Sequence, residues 1–203
     1  MTVIRVIKLG GSLLGRATLL DDFHHWLRES VGGDDRIISI VIVGGGDMIN
    51  AVRVWDRCRP IDPSEVHWNC VEMLRWSFAH LKASMRLDAR FSDFGYVTER
   101  DQFAEWSDLI RGPTMPKNRR WLVNVPAAYD LGIETPLPQN WSTTTDSIAW
   151  WIASSLCAFE CVLLKSCAVP ESHTVTDWIE QGIVDSACAE LLDCGVPLRI
   201  HQL

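Results

Sequence analysis

Two short runs of apolar residues near the N-terminus have the pattern of buried strands. Val3–Leu9 reads VIRVIKL, is rich in β-branched residues and is followed directly by Gly10 and Gly11. Ile37–Val43 reads IISIVIV and is almost continuously apolar, which is typical of a strand that is covered on both faces in a parallel sheet. A second glycine turn, at 44–46, ends this run. We therefore predict two strands that each enter a tight turn.

Apolar residues at helical spacing follow these turns and recur along the chain. Acidic residues, which favour the N-terminal end of a helix, stand at the start of the first two helical segments. The predicted helices begin at Asp21 and Asp22 and end before Gly32, begin at Asp47, and extend over 63–91, 145–158 and 185–192.

The segment 94–139 is the least regular part of the chain, because glycines and prolines interrupt it repeatedly. It contains one clear predicted strand, at 121–125, and two further strands are predicted at 161–165 and 197–201. Strands that alternate with helices predict the α/β class, here a three-layer αβα sandwich with a mainly parallel open sheet. The length fits a single domain over 1–203.

The composition is that of an ordinary globular protein, with 47% hydrophobic and 22% charged residues. A formal net charge of −7 disfavours broad contact with nucleic acid, although a small anion can bind where cations are concentrated. No apolar run approaches the roughly 20 residues of a membrane span, and no secretory signal is recognisable. The seven cysteines lack metal-ligand spacing and indicate reduced thiols, so we expect a cytoplasmic protein.

Candidate chemistry is concentrated in the two glycine turns and one polar segment. In parallel α/β sheets, ligands bind at the carboxyl ends of strands, where glycine turns expose backbone N–H groups. Lys8 precedes the first turn, so this turn is neither a Walker loop nor a GxGxxG motif. An ammonium group at the end of a buried strand needs an anion nearby. Asp146 lies in the segment WSTTTDSIA, which leads directly into an apolar helix.

Each of these features also has a purely structural interpretation. A glycine turn often only ends a strand, and a lysine at a strand end can extend into solvent. Asp146, in the first turn of a helix, can simply interact with the helix dipole. The combination of all three features in one fold is what favours a ligand site.

Four segments, taken in order, resemble the amino acid kinase family, which includes aspartate, glutamate, acetylglutamate and uridylate kinases. The segments are VIKLGGSLL, IVIVGGGDMI, TTDSIAWWIA and the strand CVLLK. Their order and spacing agree with the family along most of the chain. The resemblance implies an open αβα sandwich that transfers the γ-phosphoryl group of ATP, bound with Mg²⁺, to a small anionic acceptor.

The resemblance also implies a role for individual residues. Lys8 would stabilise the transferring phosphoryl group, and Asp146 would orient this lysine and its neighbours as the second catalytic residue. The residues implied to bind ATP are Gly10, Gly11, Ser12 and Lys165. The residues implied to face the acceptor are Gly44, Gly45, Gly46 and Asp47. The acceptor would lie on the N-terminal part, 1–125, and the nucleotide on the C-terminal part, 126–203.

One segment departs from the family pattern. Many relatives carry an Asp-Gly pair soon after the strand corresponding to CVLLK, whereas this chain reads SCAVP at 166–170. No lysine follows Lys165, so Lys165 itself or an arginine has to replace the second phosphate-binding lysine of some relatives. Phosphoryl transfer needs no protein nucleophile, so no cysteine or histidine is given a catalytic role, and no residue is assigned as a metal ligand.

Within the family, the short length, the segment WSTTTDSIAWWIA and the ending GIVDSACAELLDCGVPLRI look most like the small kinase of methanofuran biosynthesis. That kinase phosphorylates an aminomethylfuran-methyl phosphate, whose amine Asp47 or a tryptophan would receive. The alternatives are a generic amino-acid or nucleoside-monophosphate kinase, and a non-catalytic nucleotide-binding or storage protein. We also expect a homo-oligomer, because 63–91 is more apolar than one buried face requires.

Overall fold

Strands and helices alternate along the residues that the computed structural model describes, which are 3–31, 36–112, 116–169 and 174–203. The strands are β1 (Val3–Leu9), β2 (Ile37–Val43), β3 (Phe94–Val97), β4 (Arg120–Val123), β5 (Glu160–Lys165) and β6 (Leu198–Gln202). The helices are α1 (Leu19–Val31), α2 (Asp47–Cys58), α3 (Pro63–Arg86), α4 (Arg100–Arg111), α5 (Val125–Ala128), α6 (Thr145–Ser155) and α7 (Val175–Glu180). Short 3₁₀ helices cover Gly11–Leu13, Ala89–Phe91 and Ser186–Leu191. Gly32, at the predicted end of the first helix, and Pro170 lie outside the described residues.

The described strands form one sheet with the order β3-β4-β2-β1-β5-β6, and every neighbouring pair is parallel. β1 and β2 lie at the centre, and each is buried at every residue except the first. This burial agrees with their almost continuously apolar sequences. Helices cover both sides of the sheet, so the predicted αβα sandwich with a parallel sheet is confirmed.

The two layers of helices pack on alternate residues of the central strands. On one face, Ile4, Val6 and Ile40 belong to the apolar core that includes residues of α4 and α6. On the opposite face, Ile7 packs with residues of α1 and of the second half of α3. Ile4, Val6 and Lys8 are alternate residues of β1, so their side chains lie on the same face of the sheet. The side chain of Lys8 therefore points toward the α6 layer.

The segment 94–139 is more regular than the sequence predicts, because it contains β3, α4 and the short α5. β3 has only four residues, one of them glycine, so its alternation is too brief to recognise. The helix α4 does carry a signal, with Trp106 and Ile110 one turn apart and a capping box between Glu99 and Gln102. The glycines and prolines on both sides of α4 obscured this signal.

Two other helix predictions need correction, and one helix was missed. The predicted helix over 63–91 is shorter, since α3 ends at Arg86 and a separate 3₁₀ helix follows at Ala89–Phe91. The helix predicted over 185–192 is a 3₁₀ helix, Ser186–Leu191. α7, which begins with a capping box, was not predicted.

Both predicted parts of the chain contribute to the single sheet, because β1 to β4 come from 1–125 and β5 and β6 come from 126–203. The assignment of one domain with an acceptor part and a nucleotide part stays a prediction. No helix within the described ranges is both long enough and apolar enough to cross a membrane.

Candidate active site

The two glycine turns lie against each other at the carboxyl ends of the central strands. The first turn leaves β1 at Gly10, and the second leaves β2 at Gly44. A Cβ atom added to Gly11 would lie 2.0 Å from the backbone nitrogen of Gly46, and Gly46 has a φ of +58°. A larger residue would push the backbones apart, so this close approach explains Gly11 and Gly46.

The turns expose several backbone N–H groups. In the parts of the chain that the structure describes, no acceptor takes a hydrogen bond from the N–H groups of Gly11, Ser12, Gly45 and Gly46. By contrast, Gly10 donates to the Leu164 carbonyl and Gly44 donates to the Leu9 carbonyl, both at 2.9 Å. The turns therefore combine N–H groups that hold the strand ends together with N–H groups that are free to bind an anion.

Asp146 stands between two lysines that come from neighbouring strands. Lys8 Nζ lies 2.7 Å from Asp146 Oδ1, and Lys165 Nζ lies 2.5 Å from Asp146 Oδ2. Lys165 Nζ also donates to the Ile183 carbonyl at 2.5 Å. Asp146 and Lys8 are only 5% and 6% exposed. The structure thus brings together Lys8, Asp146 and Lys165, which are far apart in the sequence.

The environment of Asp146 keeps its carboxyl group ionised. Burial by itself raises the pKa of this group, but the nearby charges of Lys8 and Lys165 and their hydrogen bonds outweigh the burial and lower the pKa below its usual range. With both lysines protonated, the two positive charges and one negative charge leave a net positive charge of one. The cluster can therefore attract an anion without leaving either buried ammonium group unpaired.

Asp185 fixes the turn that carries Asp146, and the sequence analysis missed it as a site residue. Its Oδ2 atom accepts hydrogen bonds from the backbone N–H groups of Thr144 and Ser147, at 3.0 and 3.1 Å, and from both hydroxyl groups, at 2.6 and 3.1 Å. Burial raises the pKa of Asp185, and the negative charge of Asp146 adds to this, while the hydrogen bonds oppose it. Asp185 thus caps α6 from a distant part of the chain.

A cavity of about 240 Å³ opens beside the glycine turns. The predicted site residues that line it are Lys8, Gly11, Ser12, Gly45 and Gly46. Those that do not line it are Gly10, Gly44, Asp47, Asp146 and Lys165. Asp47 is exposed at the start of α2, so nothing places its carboxylate toward this cavity. The rest of the wall comes from α2, α3, the segment that precedes α6 and the start of α6.

His67 lines the same cavity but has the environment of a neutral structural histidine. It is 5% exposed, and its Nε2 atom lies 3.1 Å from the Tyr129 hydroxyl oxygen. Burial lowers the pKa of His67, and a hydrogen bond with the backbone of Asn140 opposes this only partly. These contacts describe a packed histidine, and the absence of a catalytic role for His67 stays a prediction.

The first glycine turn also contacts the segment that follows β5. The hydroxyl oxygens of Ser12 and Ser166 are 2.8 Å apart. Arg16 donates to the carbonyl of Ser166 at 3.1 Å and to the carbonyl of Leu203. Together with Lys165, these residues join the turn after β1 to the C-terminal part of the sheet, where the resemblance implies the nucleotide.

No family model and no curated protein sequence matches this chain. Solved structures do match it in fold. UMP kinase from Ureaplasma parvum has a TM-score of 0.64 and 12% identity, and the match covers 100% of this chain and 91% of that one. Uridylate kinase from Archaeoglobus fulgidus has a TM-score of 0.58 and 16% identity, with 98% and 90% covered.

Aspartate kinase from Synechocystis gives a TM-score of 0.54 and 14% identity, and the match covers 99% of this chain and 38% of the aspartate kinase. The chain therefore has the amino acid kinase fold. At these identities the likeness establishes the fold alone.

The contact between the two glycine turns predicts that Gly11→Ala is destabilising. The added methyl group has to displace backbone atoms of Gly46, which should cost about 1–3 kcal/mol, as overpacking does elsewhere. Gly15→Ala is the matched control, because a Cβ atom there meets nothing within 4 Å. Unfolding in urea measures both changes. Equal stabilities of the two variants would contradict the close contact between the turns.

The lowered pKa of Asp146 predicts a pH dependence of stability. Its contribution is fully present above the pKa of an unfolded aspartate, about 3.9, and is lost as the pH falls through the lower folded value. Asp146→Asn removes this contribution and should cost about 3–5 kcal/mol at neutral pH, since two lysines lose their counter-ion.

The free energy of unfolding, measured in urea as the pH is lowered toward 3, should therefore fall more steeply for the native chain than for Asp146→Asn. All other carboxyl groups are common to both proteins, so the difference between the two curves reports Asp146 together with its effect on the pKa of Asp185. Parallel curves would show that Asp146 titrates alike in the folded and unfolded chains.

Proposed function

We propose that the chain is an ATP-dependent phosphotransferase that moves the γ-phosphoryl group of ATP to a small anionic acceptor. The observation that carries this proposal is the pairing of Asp146 with both Lys8 and Lys165 beside glycine turns that have free N–H groups. The likeness in fold to two UMP kinases and an aspartate kinase supports the same class of reaction.

To catalyse phosphoryl transfer, a protein has mainly to position the reacting groups and to neutralise negative charge. Ammonium groups that Asp146 holds in place before the substrates arrive supply both, because little reorganisation is then needed during the reaction. An acceptor oxygen that is already anionic has no proton to lose. The reaction we propose therefore requires no general base from the cavity.

Each of the three charged side chains, Lys8, Lys165 and Asp146, would have a separate role. Lys8 lines the cavity, and we propose that it stabilises the transferring phosphoryl group. Lys165 lies on the other side of Asp146, toward the C-terminal part of the sheet, and would take the place of the second phosphate-binding lysine. Asp146 would orient both.

The glycine turns would bind through their backbones. We propose that the free N–H groups of Gly11 and Ser12 bind phosphate oxygens of ATP and that those of Gly45 and Gly46 face the acceptor. Gly10 and Gly44 would act by shaping the turns, since their own N–H groups hold the strand ends. No contact supports the acceptor role that the resemblance implied for Asp47.

The residues at the turns fit a nucleotide phosphate. Gly11 and Gly46 lie too close together for any side chain to stand between them, so a phosphate at this point would meet backbone N–H donors. Within the described ranges, no group of three or more histidine, cysteine or acidic side chains could hold a metal ion. We propose that Mg²⁺ is held chiefly by the ATP phosphates, as is common for this ion, and neutralises part of their charge.

The specific acceptor we propose is an aminomethylfuran-methyl phosphate, in the synthesis of a methanofuran-type cofactor. It is supported by the sequence resemblance of 141–153 and of the C-terminal segment. A generic amino-acid or nucleoside-monophosphate kinase is the alternative among enzymes, and the fold neighbours include kinases of both kinds of acceptor. A non-catalytic nucleotide-binding or storage protein is the alternative outside enzymes, and the altered segment after Lys165 permits it.

We also propose a cytoplasmic homo-oligomer. Trp76 of α3 is 73% exposed, and Leu87, directly after α3, is 91% exposed, so large apolar side chains lie on the surface at this helix. Light scattering of the purified chain should give a mass of two or more times 22.9 kDa. A monomer at all concentrations would remove this part of the proposal.

Turnover tests the proposed function. With ATP and Mg²⁺ and a panel of phosphate and carboxylate acceptors, the native chain should release ADP in proportion to one class of acceptor. Lys8→Ala should lower this rate by about 10²–10³, as loss of a preorganised charge does in other enzymes. Lys117→Ala is the control, because Lys117 is exposed and outside the cavity. Acceptor-dependent ADP release that is unchanged in Lys8→Ala would be inconsistent with the proposed site.

A further inference from the structure

We infer that Arg53 selects the acceptor, and that the acceptor it selects is a phosphate monoester with a mainly apolar body rather than an amino acid. The inference rests on the proposed phosphotransferase function and specifies the acceptor side of the same cavity. Its evidence adds to that of Lys8 the walls of the same cavity that come from α2, α3, the segment before α6 and the start of α6.

Arg53 is held by an aromatic ring that is itself fixed. It lies in the second turn of α2, and its guanidinium carbon is 4.8 Å from the centre of the Trp141 ring. Trp141 Nε1 donates to Asp56 Oδ2 at 2.7 Å. The second oxygen of this carboxylate accepts from the backbone N–H of Ile61 at 3.1 Å. Both oxygens of Asp56 therefore have other partners, and Arg53 rests on a positioned ring.

The guanidinium group of Arg53 has no acceptor of its own. It is half-buried and lines the cavity, yet within the described residues it makes no hydrogen bond and no ion pair. A guanidinium group carries five N–H donors in a planar fork that matches a phosphate or carboxylate group. Arg53 is thus a free cationic group, positioned in advance, on the wall that faces the acceptor space.

The charges around the cavity distinguish a phosphate from an amino acid. Among the described residues that line it, Lys8 and Arg53 are the permanently charged side chains, and none is a carboxylate. A phosphate dianion would meet two cations and the free N–H groups of the glycine turn. The ammonium group of an amino acid would meet no counter-ion, and burying it unpaired is costly. His67 offers no compensation, because it is buried and uncharged.

The remaining wall indicates the body of the acceptor, and it is partly polar, since Asn50, Asn140 and the threonines at 143–145 also line it. Ile49, Val71, Leu74 and Ile148 supply an apolar surface next to the two cations. An acceptor that enters with its phosphate first would place a hydrocarbon or aromatic body against these side chains. An amine at the far end of such a molecule would have to stay in water at the cavity mouth.

The reaction with such an acceptor balances without a proton transfer. An oxygen of the acceptor phosphate dianion forms a bond to the γ-phosphorus of ATP. The bond between this phosphorus and the β–γ bridging oxygen breaks, and ADP leaves with that electron pair. The product is a diphosphate monoester, and the absence of a carboxylate base from the described cavity wall agrees with this step.

Direct binding of phenyl phosphate, measured by calorimetry without nucleotide, tests the inference. The native chain should bind phenyl phosphate and should bind L-aspartate much more weakly. Arg53→Gln should weaken phenyl phosphate binding by about tenfold or more, the effect expected for loss of a charge-assisted contact. Arg57→Gln should leave it within about twofold, because Arg57 lies one turn further along α2, is exposed and is outside the cavity.

Thermal unfolding checks that the variants fold, and Arg53→Lys provides a second variant that keeps the charge and the length of the side chain. It should lose part of the affinity, because the planar fork is gone. Binding of phenyl phosphate that is equal in the native chain, Arg53→Gln and Arg53→Lys would overturn the inference, as would tighter binding of L-aspartate.

The outcome also separates this inference from the proposed function. ADP release with amino acid acceptors that is unaffected by Arg53→Gln would overturn the acceptor inference and leave the phosphotransferase in place. Binding of phenyl phosphate that depends on Arg53, together with no ADP release from any acceptor, would support the acceptor site and overturn the proposed transfer.

Discussion

The ionised carboxylate of Asp146 is the contact on which the candidate site depends. Two ammonium groups from neighbouring strands, Lys8 and Lys165, lie in a part of the molecule where neither would be stable without a negative partner. Asp146 supplies that partner from the first turn of α6, and Asp185 fixes this turn through its hydrogen bonds to Thr144 and Ser147. The two ammonium groups are therefore held in position before any ligand binds.

Much of this arrangement could be predicted from the sequence, because it follows from the geometry of a parallel sheet. Apolar runs that end in glycines predicted the central strands and both turns, and the alternation of β1 turns Lys8 toward the α6 layer. The contact of Asp185 with α6 could not be predicted, since it joins residues 38 or more positions apart. The segment 94–139 was misjudged because its glycines and prolines obscured α4.

Residues that seemed equivalent in the sequence have different contacts in the structure. Gly10 and Gly44 use their N–H groups to hold strand ends, whereas the N–H groups of Gly11 and Gly46 have no acceptor among the described residues. Asp47, adjacent to the second turn in sequence, lies outside the cavity, while Arg53, two helical turns into α2, lines it. Sequence proximity to the glycine turn was thus a poor guide to which residues line the cavity, because the helix decides which side chains face it.

The most direct test is an experimental structure of the chain with Mg²⁺ and a non-hydrolysable ATP analogue. The account predicts that the terminal phosphate lies within hydrogen-bond distance of Lys8 Nζ and of the Gly11 and Ser12 N–H groups, with Asp146 still paired to the lysines. A nucleotide whose phosphates lie away from the glycine turns, with Lys8 contacting Asp146 alone, would contradict it.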